Sequence, residues 1–271
     1  MEIIYQSEDC VVVNKLPGDS AEPLAAVQAG KGMADLPRML LKTLPVGQDF
    51  KGKDFLPAAV HRLDVPVSGC TLFARSPEAL AFLNAAFHGA SEAALRGAGS
   101  GTDEAAPVEK IYWAIVEMPL PGREPGEAGE WRHWIKAGTG ENKSIACDEA
   151  GPGRKQGVLR YRLVGAGDRY LFLEINLLTG RHHQIRAQLA RMGLRIKGDL
   201  KYGAKRSERG GGIRLHGYSL AFPDPARPGE LVRVKALPPL RDNGASKDAG
   251  ASKDALWEAF EAAHKAAAGA S

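Results

Sequence analysis

The sequence predicts an α+β fold, with a mixed, largely antiparallel central sheet flanked by helices and loops. Segments typical of strands and of helices are intermixed along the 271 residues, without the steady alternation that predicts a parallel β-α-β sheet. Apolar residues make up 44% of the chain and charged residues 25%, so one sizeable core is expected. The strand-like segments are short and rich in aromatic and β-branched residues.

Four segments predict strands, because β-branched and aromatic residues dominate each of them. They are residues 10–14, 71–74, 110–118 and 170–178. The sequence KLPGD, residues 15–19, has turn chemistry and ends the first of these strands.

Two segments predict helices. The first begins with Ser76 as its N-cap and Pro77 in its first turn, and we expect Gly89 to end it. The second is GRHHQIRAQLARMG, residues 180–193, which carries one apolar stripe. That stripe consists of Ile185, Leu189 and Met192.

We assign residues 1–242 to one domain. Within it, residues 91–107 are small and polar and predict a flexible, low-complexity excursion. Residues 243–271 are an alanine-rich extension in which GASKDA occurs twice and Leu256 and Phe260 lie four positions apart. This spacing would give a helix a small docking stripe, and a partly disordered extension is the alternative.

Cysteine usage and hydropathy exclude several classes of protein. The three cysteines lie far apart with no CxxC spacing, which argues against a disulfide framework or a zinc site and suits a reducing compartment. The first residues lack a signal-peptide pattern, and no apolar run approaches the roughly 20 residues that span a bilayer. We therefore expect a cytoplasmic protein without membrane contact and without a bound metal.

Basic residues concentrate in one segment, although the whole chain carries a net charge of only +4. Residues 181–214 contain ten Lys or Arg residues and two acids, Asp199 and Glu208. Such a cluster is a candidate phosphate-binding surface. The simpler interpretation is a solvated helix face followed by a basic loop.

The stretch HRLDVPVSG, residues 61–69, places His61, Arg62 and Asp64 before a turn and an apolar strand. In most proteins an acid beside an arginine is half of a structural ion pair. Arg186 indicates that such a pair is formed inside the fold. It lies at the edge of the apolar stripe of the second helix, where a guanidinium needs a carboxylate partner. Asp64 is one candidate for that partner.

Three neighbours of Arg186 extend the candidate site. His182 lies one turn before Arg186 on nearly the same edge of the helix. His183 and Gln184 lie further round, and we expect them to face ligand or solvent.

Tyr112, in KIYWAIVE, shares one face of its strand with Ala114 and Val116. Two interpretations of this tyrosine remain open. It is either a core residue with a satisfied hydroxyl, or a flat ring for a base with a hydroxyl for proton transfer.

Together these stretches resemble the RluA-type branch of the pseudouridine synthases. HRLDVPVSG resembles the family's catalytic motif, and KIYWAIVE its tyrosine strand. LLTGRHHQIRAQLARMG resembles its TGRxHQIR helix, IKGDLKYG its GD..YG turn, RLHGYSLAFPDP its closing leucine-histidine block, and VVVNKLPG its first strand and NKPxG turn. The blocks run in order from about residue 3 to residue 225, and the ordered set is highly specific.

The chain departs from the family pattern in five places. Val67 stands where threonine is usual, Met118 where glycine is usual, and Gly217 where alanine is frequent. Leu16 is inserted before Pro17, and the histidine that follows this turn in the family has no counterpart in DSAEP, residues 19–23. None of these is the acid, the tyrosine or the arginine, so the departures concern substrate choice more than chemistry. No segment resembles the small N-terminal RNA-binding domain of many relatives, so we expect the catalytic domain itself to hold RNA.

The resemblance implies an RNA pseudouridine synthase that isomerises uridine in ribosomal or transfer RNA without a cofactor. It makes Asp64 the catalytic carboxylate, Arg186 its ion-pair partner, and Tyr112 the ring that stacks on uracil and takes part in removing the proton from carbon 5. The residues expected to contact RNA are His61, Arg62, Arg181, His183, Gln184 and Leu215. We expect a monomer with no obligatory protein partner.

Three other classes of protein share parts of this pattern. A structural protein that binds ribosomal RNA through its basic segment would not need the ordered set of motif blocks. A non-catalytic RNA-binding or RNA-folding protein would use the same basic cleft, but it would not need Asp64, Tyr112 and Arg186 together. A glycoside hydrolase also breaks a bond at an anomeric carbon, but it needs two carboxylates about 5 to 10 Å apart. No second acid in the sequence has a setting like that of Asp64.

Overall fold

A computed structural model of the chain describes residues 1–24, 35–45, 47–48, 52–97, 108–138, 142–208, 211–239 and 254–269. The strands are β1 Glu2–Gln6, β2 Cys10–Lys15, β3 Gly47–Gln48, β4 Asp54–Phe55, β5 Ala58–Ala59, β6 Ser68–Ala74, β7 Glu109–Glu117, β8 Ala128–Ala137, β9 Ser144–Cys147, β10 Arg154–Ala166, β11 Tyr170–Leu177, β12 Leu215–Pro223 and β13 Leu231–Lys235. The helices are α1 Leu36–Thr43, α2 Pro77–Leu95, α3 Gln184–Arg191 and α4 Ala255–Gly269, with a short 3-10 helix at Leu200–Tyr202.

In the described part of the chain, eleven strands form one sheet in the order β1-β2-β6-β12-β7-β11-β10-β8-β9, with β13 on β12 and β5 on β6. All of these pairings are antiparallel except that of β6 with β12. The α+β fold with a mixed, largely antiparallel sheet is therefore confirmed. None of the described helices is both long enough and apolar enough to span a membrane.

Helix α2 extends six residues beyond Gly89, which we expected to end it. Its start is as predicted, because the Ser76 hydroxyl accepts a hydrogen bond from the amide of Ala79 at 3.1 Å. A glycine inside a helix costs only about 1 kcal/mol relative to alanine, and the alanine-rich sequence that follows continues the helix. The predicted excursion is therefore wrong for residues 91–95, and residues 98–107 lie outside the described residues.

Helix α3 is shorter than predicted and covers Gln184–Arg191. It starts late because His183 has a φ of 51°, a left-handed conformation that does not belong to a right-handed helix. Ile185 and Leu189 are buried as expected, but Met192 is 38% exposed, because the helix ends at the residue before it. The prediction that Met192 belongs to the buried stripe is therefore wrong.

Helix α4, in the C-terminal extension, packs against the sheet. Trp257 and Phe260 are buried, and the Phe260 ring stacks on Trp113 of β7 at a centroid distance of 4.7 Å. Docking is thus the interpretation that the described part of the extension supports, with Trp257 buried more deeply than the expected Leu256. Residues 240–253 are not described, so the boundary at 242 stays a prediction.

The parallel pairing of β6 with β12 determines where the loop before β6 enters the sheet. Ser68 pairs with His216, and Gly69 pairs with Gly217. Gly69 has a φ of 121°, and a Cβ there would lie 2.3 Å from the Gly217 carbonyl oxygen, so this approach requires glycine. Nε2 of the buried His216 donates to the carbonyl of Ala236 at 2.9 Å, and Nδ1 accepts from the Ser68 hydroxyl at 2.8 Å.

We expect this junction to weaken in acid. Burial lowers the pKa of His216 to about 4, against the hydrogen bond to Ala236, whereas an unfolded histidine has a pKa near about 6.5. The unfolded chain therefore binds more protons between these values, so stability present above about pH 6.5 is lost as the pH falls toward 4, by about 3 kcal/mol in full.

The measurement is the melting temperature between pH 7 and pH 4 for wild type, His216→Gln and the exposed control His88→Gln. The fall should be smaller in His216→Gln than in the other two proteins. Three equal profiles would contradict the assignment.

Candidate active site

Asp64 lies in the loop between β5 and β6, and a buried lysine fixes the backbone of that loop. The amide of Val67 donates to the carbonyl of Asp64 at 2.9 Å and closes a turn. Lys15 is fully buried, and its ammonium donates to the carbonyls of Leu16, Val65 and Val67 at 3.0, 3.1 and 2.7 Å. These three bonds replace the hydration that the ammonium loses.

The sequence analysis treated Lys15 only as part of a turn motif. Burial lowers its pKa to about 8, and the charges of Asp19 and Asp64 oppose that shift. The available signal was a lysine at the end of the apolar run CVVVN, a position where a cation needs a partner inside the fold.

The structure brings Asp64 and Arg186 together, as the sequence predicted. Nη1 of the guanidinium donates to Asp64 Oδ2 at 3.0 Å. Two further bonds run to Asp199, at 2.7 Å from Nε and 2.8 Å from Nη2. Arg186 is 4% exposed and Asp199 is 2% exposed, so the second pair is buried and has the strong two-point geometry.

Asp199 is the site residue that the sequence analysis missed. Its signal was present in IKGDLKYG, where it is the one acid in a basic stretch. Burial disfavours the charge on Arg186, but the hydrogen bonds and charge of Asp199, together with Asp64, raise the pKa of the guanidinium. Asp199 therefore holds Arg186 in place, while the side chain of Asp64 remains 23% exposed to the cleft.

His183 also contacts Arg186, and it links the arginine to Tyr202. Its Nε2 lies 3.0 Å from Arg186 Nη1 and 3.6 Å from Asp64 Oδ2, and its Nδ1 lies 3.0 Å from the Tyr202 hydroxyl. That hydroxyl donates to the carbonyl of Ser144 at 2.9 Å, so we assign the imidazole proton to Nδ1 and the acceptor role to Nε2. Burial lowers the pKa of His183 to about 4, against the charge of Asp64, so the ring is neutral at pH 7.

Tyr112 lies in an apolar recess beside Asp64. Its strand alternates as predicted, with Tyr112, Ala114 and Val116 on the face that carries α3. The hydroxyl makes no hydrogen bond to any residue that the structure describes, although the residue is only 6% exposed. Burial, and then the charge of Asp64, raise the pKa of the phenol, so it is protonated at neutral pH. The other apolar residues of the recess are Leu63, Val67, Leu177, Ile185 and Leu215.

A cleft of about 400 Å³ adjoins this recess. The two share Arg62, Leu63, Asp64, His183 and Arg186, so a ligand that fills both must pass the Asp64 carboxylate. Within the described residues, no group of three His, Cys, Asp or Glu side chains is arranged to hold a metal ion.

Two of the residues predicted to contact RNA are used inside the protein. His61 stacks on Phe87 of α2 at a centroid distance of 5.4 Å, and its Nε2 accepts from the amide of Leu72 at 3.2 Å. Gln184 borders the recess, but it is 2% exposed and its amide oxygen accepts from the Thr179 hydroxyl at 2.7 Å. The geometry therefore gives both residues a structural role and offers no support for RNA contact.

The remaining predicted residues, Arg62, Arg181 and Leu215, line the recess. Arg62 is exposed and pairs with Glu22 at 2.7 Å, and Leu215 is 3% exposed and forms part of the wall. His182 lines the cleft, and its Nδ1 lies 2.8 Å from the Ser144 hydroxyl.

The basic segment offers fewer free cations than its composition suggested. At least four of its ten basic residues pair with acids of the protein itself. These pairs are Arg186 with Asp64 and Asp199, Arg191 with Asp148, Lys197 with Glu208, and Arg214 with Glu208 and Asp254. Counting charges along the sequence could not reveal these pairs, because most partners come from distant positions.

Comparisons with known proteins indicate the family to which this chain is similar. A family model described as RNA pseudouridylate synthase matches residues 9–191. RNA pseudouridine synthase 4, mitochondrial, of Arabidopsis thaliana is 27% identical over 205 residues, which cover 74% of this chain and 40% of that protein. Ribosomal large subunit pseudouridine synthase C of Rickettsia felis is 30% identical over 204 residues, which cover 75% of this chain and 56% of that protein. The chain thus spans about half the length of these relatives.

The solved structure of human RNA Pseudouridylate Synthase Domain Containing 4 has the same fold. It superposes with a TM-score of 0.60 at 16% identity and covers 97% of this chain and 93% of that one. The family model accounts for well over half of the residues, and it includes the loop of Asp64, the strand of Tyr112 and the helix of Arg186. The chain belongs to the RNA pseudouridylate synthase family, in its RluA-type branch.

Proposed function

We propose that the chain is an RNA pseudouridine synthase that converts specific uridines of ribosomal or transfer RNA to pseudouridine. One observation carries this proposal: the partly exposed carboxylate of Asp64, held by the buried Arg186, lies at the edge of an apolar recess that contains Tyr112. The Tyr112 hydroxyl has no hydrogen-bond partner among the described residues. Family membership supports the same activity.

The reaction is an isomerisation, so its atoms balance within the substrate. The bond from uracil N1 to ribose C1′ breaks, the base rotates, C5 bonds to C1′, and the proton on C5 is lost while N1 gains one. Asp64 acts on C1′ as nucleophile or as stabiliser of its developing positive charge. The chemistry uses no metal and no redox cofactor.

Tyr112 stacks on the uracil ring in this proposal and assists the loss of the C5 proton. Because its phenol is protonated at neutral pH, it can accept that proton only while it passes its own proton on. Asp64 is the acid that lines the same recess, which makes it the natural acceptor.

Tyr112 and the apolar residues of the recess would stack on a single base, so the target uridine must leave its helix or be unpaired already. Unstacking and unpairing a base costs a few kcal/mol, and phosphate contacts to basic residues around the cleft offset this cost. RNA binding should therefore weaken as salt rises.

Ribosomal RNA is the first substrate to test, because the Rickettsia felis relative is named for the large ribosomal subunit. We also propose that the protein acts in the cytoplasm as a monomer.

A glycoside hydrolase is less well supported by the site. Glu22 lines the same cleft as Asp64, but its carboxylate is paired with Arg62 at 2.7 Å. The other nearby carboxylate, Asp199, is 2% exposed and carries two hydrogen bonds from Arg186. A carboxylate in that setting is not available to protonate a leaving group.

The direct test is release of tritium from carbon 5 of uridine. Unmodified transcripts of large-subunit ribosomal RNA and of transfer RNAs, made with uridine tritiated at carbon 5, are each incubated with wild-type protein. We expect release from one class of transcript. No release from either class, with RNA binding intact, would favour the non-catalytic RNA-binding alternative.

Tyr112→Phe tests the hydroxyl separately from the ring. The ring still stacks, so RNA affinity should stay within about twofold, while tritium release should slow by about 10² to 10⁴-fold, the usual size of a general acid-base contribution. An unchanged rate would remove the hydroxyl from the mechanism.

A further inference from the structure

Lys110 is a buried cation that the proposed chemistry does not use. It lies on β7 two residues before Tyr112, so both side chains are on the face of the sheet that carries the recess. The residue is 7% exposed. Its ammonium lies over the ring of Phe87 on α2, with Nζ 5.8 Å from the ring centroid.

The ammonium of Lys110 has no hydrogen-bond acceptor and no acid partner among the residues that the structure describes. Lys15 provides the contrast within the same protein, because its buried ammonium donates to three carbonyl oxygens. A buried cation is normally paired or fully hydrogen-bonded, since lost hydration is costly. The lack of an acceptor or acid for Lys110 among the described residues therefore indicates a site for an anionic ligand.

The surroundings of Lys110 add positive charge. Burial, and then the charge of Arg181, lower the pKa of Lys110 to about 8. Its Nζ lies 3.9 Å from the position that a Cβ on Gly180 would occupy, so the ammonium is close to the residue that precedes Arg181. The nearby His61 is neutral at pH 7, because burial and then Lys110 lower its pKa to about 3.

Arg181 has hydrogen-bonding capacity left for a ligand. Its Nε donates to the carbonyl of Gln156 at 2.9 Å, which holds the side chain in place. Its two Nη atoms make no hydrogen bond or ion pair to any described residue, and the side chain lines the recess together with Asp64 and Tyr112.

We propose that Lys110 and Arg181 together bind one phosphate group of the RNA strand, directly beside the uridine that enters the recess. This inference rests on the proposed function, because it requires RNA in the cleft. Two donors from a β-strand and a rigid loop would hold the phosphodiester next to the stacked base. The anion supplies the charge that the buried ammonium lacks, and the two contacts hold the RNA strand beside the recess.

The test compares Lys110→Met with Lys265→Met. Methionine has nearly the length of lysine without its charge, and Lys265 is an exposed residue of α4 that pairs with Glu261, so both variants lose one positive charge. Binding of an end-labelled 12-residue oligouridylate is measured between 50 and 250 mM KCl. Losing one phosphate contact should reduce the slope of log affinity against log salt by about 0.7 in Lys110→Met. Lys265→Met should keep the wild-type slope.

Two further measurements separate a phosphate contact from a structural role. Lys110→Met should melt at or above the wild-type temperature, because it removes an unpaired buried charge. In the tritium assay its KM should rise several-fold with kcat nearly unchanged, as expected when binding is lost equally from substrate and transition state. Arg181→Met should weaken binding as well, and the double variant should lose less than the sum of the two single losses.

The outcomes distinguish this proposal from the proposed function. A Lys110→Met slope equal to that of wild type, or a lowered melting temperature with unchanged binding, overturns the phosphate site even if the wild type is active. Additive losses in the double variant overturn the shared phosphate. If no protein releases tritium but the difference in slope persists, the phosphate site stands and the isomerase does not.

Discussion

Asp64→Asn should lower tritium release from uridine by at least about a thousandfold, while the protein stays folded and binds RNA. The amide has nearly the shape of the carboxylate but cannot act as a nucleophile, and it stabilises positive charge at C1′ poorly. Losses of this size follow when a reacting group is removed from an otherwise intact site.

Stability should change little in this variant, because Arg186 keeps its two bonds to the buried Asp199. The measurement is single-turnover tritium release by wild type and variant, with melting temperature and RNA affinity recorded for both. A variant that retains a tenth or more of the wild-type rate would remove Asp64 from the role of catalytic carboxylate.

Arg186→Met should lose both stability and activity, for a reason that differs from that of Asp64→Asn. The substitution leaves Asp199 2% exposed without its cation and removes the partner of Asp64. Breaking a buried ion pair from one side costs about 3 to 5 kcal/mol. For a chain of this size we therefore expect the melting temperature to fall by roughly 10 °C.

The double variant Arg186→Met/Asp199→Asn provides the control. It removes both members of the buried pair, so it should recover part of the lost melting temperature, because Asp199 no longer leaves a buried charge without its cation. Activity should not recover, since Asp64 still lacks its arginine. An Arg186→Met protein that melts at the wild-type temperature would contradict the buried pairing.

The sequence by itself determined the class of fold, and it predicted one site for Asp64, Tyr112 and Arg186, which the structure brings to one recess. Local patterns were sufficient for the strands, because alternation places Tyr112 on a definite face and β-branched runs identify β7 and β11. The sequence also predicted that Arg186 pairs with an acid, because a guanidinium at the edge of an apolar stripe requires one, and Asp64 was a candidate for that acid.

Helix ends were less predictable from local sequence. Gly89 weakens a helix by only about 1 kcal/mol, which its neighbours overcome, and α3 starts after a histidine whose left-handed conformation depends on contacts with Arg186 and Tyr202. Packing against the sheet likewise decided that α4 buries Trp257 more deeply than Leu256.

Only the tertiary structure decided how the buried charges are partnered. Asp199 is 13 positions from Arg186, and Lys15 reaches carbonyls some fifty positions away, so neither contact has a local signature. The structure also distinguished the two buried lysines. The ammonium of Lys15 donates hydrogen bonds to carbonyl oxygens, whereas that of Lys110 has no hydrogen-bond acceptor and no acid partner among the described residues. The physical reason is general: sequence reveals which side chain must be compensated on burial, but only the fold determines which distant group compensates it.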